Sequence, residues 1–88
     1  MDIRQTSRFK KDVKLSMKRR KDFSKFKEVI ECLTSAQELE GRYHDHSLIG
    51  DYFGARECHI EPDWLLIYRV EGDSLILIRL GTHSDLFA

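Results

Sequence analysis

The sequence predicts an α+β fold: an N-terminal helical hairpin packed on one face of a mostly antiparallel sheet. Three observations predict it. Apolar residues recur at helical spacing through residues 7–34 and at period two after Gly41. The later runs are joined by short turn signals, Pro62-Asp63 and Glu71-Gly72-Asp73, which suit antiparallel neighbours. At 88 residues the chain (1–88) is one domain with one modest core and a radius of gyration of roughly 12 Å.

Ile3 to Gln5 reads as a short first strand. Phe9, Val13 and Met17 then recur every four residues, with Lys10, Lys11, Lys14, Lys18 and Arg19 between them. That is an apolar stripe with a basic back. Thr6 or Ser7 can cap its start. Arg19-Arg20-Lys21-Asp22 breaks the pattern, and a second helix starts from Asp22 or Ser24 with the stripe Phe26, Val29, Ile30 and Leu33.

Beyond Gly41, Cys58 and Ile60 alternate with Glu57, His59 and Glu61. Residues 64–70 form a clear strand, with Trp64 and Tyr68 as packing residues. Glycine supplies the hairpin at 71–73. In residues 75–80 the alternation puts Ile76, Ile78 and Leu80 on one face and Leu75, Leu77 and Arg79 on the other. Helices can cover only one sheet face. The face carrying Glu57, His59, Arg79 and His83 is therefore expected to be free for a site.

The formal net charge of zero conceals a split. Residues 1–35 hold 11 Lys and Arg against 5 Asp and Glu, and residues 36–88 hold 4 against 10. Such asymmetry points to a polyanion partner such as RNA, held by the basic helices. The competing explanation is an ordinary solvated helix face, which would normally mix signs. The 41% hydrophobic content and single proline argue against disorder. No apolar run approaches the ~20 residues of a membrane span, and Met1-Asp2-Ile3-Arg4-Gln5 lacks the apolar region of a secretory signal. Cys32 and Cys58 form no C-x-x-C pair and fit reduced thiols, so the expected location is the cytoplasm.

Four histidines, His44, His46, His59 and His83, lie in the acidic half. Imidazole can take and give protons near neutrality. A pair of them suits RNA cleavage through the 2′-hydroxyl, one as base and one as acid, with Arg79 on the phosphate. This chemistry needs no metal or cofactor. Solvated strand and loop histidines are the alternative. So is a metal set from His44, His46, His59 and Asp63, although its spacing is looser than that of most zinc sites. Phe87 could stack a base or plug the sheet edge.

Three blocks occur in order: Tyr43-His44-Asp45-His46-Ser47-Leu48-Ile49-Gly50, Arg56-Glu57-Cys58-His59-Ile60-Glu61-Pro62-Asp63-Trp64-Leu65-Leu66-Ile67-Tyr68, and Gly81-Thr82-His83-Ser84-Asp85-Leu86-Phe87. Together they resemble the YafQ-like branch of the RelE/ParE toxin superfamily. The resemblance covers essentially the whole chain and is most specific from Tyr43 onward. It implies a RelE-like fold and a toxin of a type II toxin–antitoxin module. Such a toxin is an endoribonuclease (mRNA interferase) that cuts mRNA in the A site of the 70S ribosome and stops translation.

Carried over by position, the loop histidine is His46, the strand histidine His59, the acid Asp63 and the C-terminal histidine His83. His46 is favoured as base and His83 as acid, with His59 and Asp63 supporting them. Arg79, Glu57 and Phe87 would contact substrate, and Lys10, Lys11 and Lys14 would hold RNA. His44 matches no functional position. Glu57 stands where some relatives have aspartate, and Ser47 where proline is common. The implied partners are a cognate antitoxin and the translating ribosome, with a monomeric free toxin and an oligomeric toxin–antitoxin complex. The alternative within the superfamily is a ParE-like toxin that binds and poisons DNA gyrase without cutting nucleic acid.

Overall fold

The structure, a computed structural model, describes residues 1–35 and 37–87. Its radius of gyration is 12.1 Å. The elements are β1 (Asp2–Gln5), α1 (Ser7–Lys18), α2 (Phe23–Thr34), β2 (His46–Ser47), β3 (Arg56–Glu61), β4 (Trp64–Glu71), β5 (Ser74–Gly81) and α3 (His83–Phe87). Single 3₁₀ turns at Gly41–Tyr43 and Gly50–Tyr52 flank β2. The five strands run in the order β1-β5-β4-β3-β2. All pairs are antiparallel except β1 with β5.

Local chemistry sets the helix ends. The Thr6 hydroxyl caps α1 by accepting from the Phe9 amide at 3.0 Å, and Asp22 caps α2 by accepting from the Ser24 amide at 3.0 Å. Between them Arg20 adopts φ +58°, a left-handed residue that ends the first helix. Gly72 (φ +55°) opens the two-residue β4–β5 turn, where a positive φ is needed.

The main core lies between the helices and one sheet face. Phe9 and Val29 meet Cys58, Ile60, Trp64, Leu66, Tyr68, Leu75, Leu77 and Leu80 there. Trp64 and Tyr68 are buried, as their place in an apolar strand suggests. Cys32 and Cys58 are both free thiols.

Three expectations are corrected. Met17 is 62% exposed, so it does not continue the α1 stripe; Asp12 and Ser16 face inward instead. The cause is the sheet edge. The chain leaves β1 at Thr6, so the far half of β5 has no strand beside it, and α1 runs along it. Asp12 Oδ2 accepts from the Leu80 amide at 2.9 Å, and Ser16 Oγ accepts from Trp64 Nε1 at 3.3 Å. An apolar side chain there would leave those donors unsatisfied.

The alternation of β5 is also different. A bulge lets Ile67 pair with Arg79 while Tyr68 pairs with Leu77, which shifts the phase by one residue. Leu75, Leu77 and Leu80 therefore share the helix-side core, while Ile78 packs on the opposite side.

The second face is not fully open. Ala55, Leu65, Ile67 and Leu86 form a smaller core there, flanked by Leu48, Tyr52 and Ile78. Leu86 comes from α3, an element that strand periodicity does not announce.

Candidate active site

The sheet register assembles the site. His46 lies directly opposite Glu57 across the β2–β3 pair, so the two share a face. His59 sits two residues further along β3, on the same face. The buried Glu57 carboxylate stands between the two imidazoles. Its Oε1 is 2.9 Å from His59 Nε2 and 3.6 Å from His46 Nε2. Across the sheet, His59 pairs with Leu65 and Leu65 pairs with Gly81. That row brings His83, two residues past Gly81, beside His59, with ring centroids 5.4 Å apart.

His83 is fixed by the β3–β4 turn. Asp63 Oδ1 accepts from the His83 amide at 2.9 Å and from its Nδ1 at 2.7 Å. These bonds hold the Asp63 carboxyl below its usual range. They also leave His83 Nε2 free of that carboxylate. His46 Nδ1 lies 3.2 Å from the Ser47 carbonyl. A carbonyl only accepts, so in the neutral ring the proton belongs on Nδ1 and the lone pair on Nε2. The result is one line of groups: Asp63, His83, His59, Glu57, His46.

The loop that carries His46 is moored from below. Asp45 Oδ1 accepts from the Tyr68 hydroxyl at 2.7 Å and from Arg56 Nε at 3.1 Å, and Arg56 Nη1 reaches Ser47 Oγ at 3.0 Å. Asp45, the sequence neighbour of His46, thus has its charge engaged elsewhere. Burial, together with Asp45, pushes the Tyr68 hydroxyl far above its ordinary value, so it stays a donor. His44, before it, is held at φ +47° and puts its ring 5.3 Å from that of His59.

A second clamp sets α3. Asp85 accepts from Arg19 Nη1 and Nη2 at 2.6 and 3.2 Å and from the Thr82 amide at 2.9 Å. Arg19, the leading cause, holds the Asp85 carboxyl well below the usual carboxylate range. A Cβ on Gly81 would lie 2.9 Å from Asp85 Oδ2, so the turn before His83 has room only for glycine.

The structure brings His46, His59, His83, Asp63 and Glu57 together. Glu57 is positioned to orient imidazoles rather than to meet substrate directly. Arg79 is placed differently from its sequence reading: it is buried, with Nε and Nη2 on Asp12 at 2.8 and 3.3 Å and Nη1 on the Tyr52 hydroxyl at 3.2 Å. Phe87 is half-exposed and meets Tyr52 edge-on at 5.9 Å, while its neighbour Leu86 is the plug. Lys10, Lys11 and Lys14 are exposed on α1, and among the described residues no ion pair engages them. Lys21 and Lys25 instead pair with Glu61 at 3.2 and 3.0 Å. Cys58 is no nucleophile, since burial pushes its thiol far above its ordinary value.

His44, set aside for matching no functional position, lies against His59, while the residues gave no reading of Tyr52, Asp12 or the Asp45–Tyr68–Arg56 network. A hydroxyl inside an otherwise apolar strand, at Tyr68, was the available signal for the last of these.

Among curated proteins, an Escherichia coli mRNA interferase toxin YafQ is 42% identical over 87 residues, covering 98% of this chain and 95% of the relative. Among solved structures, a copper-bound mutant toxin from Helicobacter pylori superposes with a TM-score of 0.94 at 40% identity, covering 99% of each chain. A chain of the E. coli DinJ–YafQ complex superposes with a TM-score of 0.90 at 42% identity, covering 99% of this chain and 98% of that one. The α+β, RelE-like architecture agrees with these neighbours. Residues 1–88 match the family described as "Bacterial toxin of type II toxin-antitoxin system, YafQ", and with the identity to its curated relatives this chain belongs to the YafQ toxin family.

Proposed function

We propose that this chain is a ribosome-dependent mRNA endoribonuclease, the toxin of a type II module, that cleaves without a metal by acid–base catalysis. The observation that carries the reading is the line from Asp63 through His83, His59 and Glu57 to His46. His46 Nε2 takes the proton of the RNA 2′-hydroxyl. The 2′-oxygen attacks phosphorus, and the bond to the 5′-oxygen breaks. His83 Nε2 protonates that leaving oxygen, so the products are a 2′,3′-cyclic phosphate and a 5′-hydroxyl. Each proton transfer is worth about 10²- to 10⁴-fold in rate. Glu57 and His59 orient His46 and spread the positive charge it gains. Arg79 would meet the phosphate through Nη1, on the Tyr52 side, while Asp12 holds its other edge. Phe87, half-exposed at the end of α3, would stack a base.

The relative YafQ forms a complex with DinJ, and we infer an equivalent antitoxin here. The uncompensated α1 lysines, Lys10, Lys11 and Lys14, suit ribosomal RNA or an acidic antitoxin segment. The free toxin is proposed to be monomeric and cytoplasmic, and its antitoxin complex oligomeric. A gyrase-binding toxin would need no such line of histidines and carboxylates.

A second reading rests on one observation. His46, Glu57 and His59 offer ligand atoms all within 4.8 Å of one another, and the H. pylori relative is copper-bound. Two imidazoles and a carboxylate suit Cu(II) or Zn(II). A metal there would take the lone pair on which His46 depends, so it would inhibit the acid–base reaction. The test is mapping of mRNA 3′ ends after brief expression. Wild type should yield new ends inside open reading frames, and His83→Ala should not. Ends that are equal in both would reject the assignment.

A further inference from the structure

A cleft of about 890 Å³ opens beside the histidines, between the 3₁₀ turn before His44 and the N-terminal half of α2. His46 and His59 line it as well, so it is continuous with the catalytic groups. Arg42, Tyr43 and His44 of the turn line it, as do Lys25 and Glu28 of α2 and Glu61, which Lys25 neutralises. The Arg42 guanidinium lies over the Tyr43 ring, 4.7 Å from its centroid, with Nη2 donating to the Tyr43 hydroxyl at 2.7 Å. This fixes a flat, delocalised platform at the mouth. His44 links it to the chemistry, since its ring contacts that of His59.

We propose that this cleft holds the nucleotide next to the scissile bond, with its base stacked on the Arg42–Tyr43 platform. Guanidinium planes and aromatic rings are the surfaces on which unstacked RNA bases settle. The volume suits a single nucleotide. This deepens the nuclease reading and rests on it.

The test compares Arg42→Ala with Arg42→Lys, which keeps the charge but loses the plane. Arg42 is exposed, so neither substitution threatens folding. Both variants should raise KM for mRNA on translating ribosomes about tenfold, with a smaller change in kcat. In parallel, adenosine 5′-monophosphate titrated into wild type should shift the Tyr43 and His44 ring resonances by NMR. Arg42→Ala should abolish those shifts, and ribose 5-phosphate should not produce them. Wild-type behaviour of Arg42→Lys, or equal shifts with ribose 5-phosphate, would overturn the proposal in favour of a phosphate site. If wild type cuts no RNA, the nuclease reading fails, and the nucleotide titration alone decides the cleft.

Discussion

One carboxylate oxygen holds His83 at two points: Asp63 Oδ1 accepts from both its backbone amide and its ring Nδ1. The backbone bond sets where α3 begins, and the ring bond sets the tautomer. Both residues are exposed, so the pair adds little to stability. Its value lies in leaving Nε2 as the group that faces a leaving oxygen.

Replacing Asp63 with Asn should therefore lower cleavage about 10- to 100-fold while leaving Tm nearly unchanged. Nitrogen-15 shifts of the His83 ring should show the loss of the single Nδ1–H tautomer. Unchanged ring nitrogens beside an unchanged rate would contradict this role.

Asp12 predicts the opposite pattern. It is buried and serves Arg79 and the Leu80 amide together. Asp12→Ala leaves a buried guanidinium without its partner, at a cost of about 3–5 kcal/mol. Thermal unfolding should show a fall in Tm of roughly 15 °C or more. Asp12→Asn, which keeps an acceptor, should lose less.

Acid should loosen the α3 clamp. Arg19 and the Thr82 amide stabilise the charged form of Asp85, so its folded pKa lies below its unfolded value of about 3.9. A depressed carboxyl stabilises the fold above the unfolded value and loses that contribution as pH falls through the folded one. Wild type should exceed Asp85→Asn in Tm by about 2–5 °C at pH 7. The gap should narrow from about pH 4 downward. A constant gap across that range would mean that the ion pair contributes nothing.

Chelator and metal separate the two readings of His46, Glu57 and His59. Under acid–base catalysis, EDTA leaves RNA cleavage intact once ribosomal magnesium is kept in excess. Added Cu(II) should then inhibit, with Glu57→Gln weakening that inhibition. Loss of activity in EDTA that zinc restores would establish a metal-dependent reaction instead.

Much of this was legible in the residues. The helical stripe through Phe26, Val29, Ile30 and Leu33, the two-residue turn at Gly72 and the strands around Trp64 and Leu77 all follow from periodicity and turn chemistry. What periodicity could not show was chemistry at the sheet edge. Asp12 and Ser16 face inward because β1 stops at Gln5, and the point where pairing stops is a tertiary fact. The bulge beside Arg79 likewise moves side chains between faces without a local signal. In the site, three histidines and Asp63 stood out by residue type and by their resemblance to the family. The partners of Arg79 and the place of His44 depended on which loops fold together, so they emerged only in three dimensions.

Proton exchange between RNA and the pair His46 and His83 is the step on which cleavage depends. It is tested most directly by single-turnover cleavage of mRNA on translating ribosomes with purified wild type, His46→Ala and His83→Ala, each checked for an unchanged Tm. Each substitution should lower the rate constant about 10²- to 10⁴-fold with little change in ribosome binding. Wild-type rates from both folded variants would contradict it.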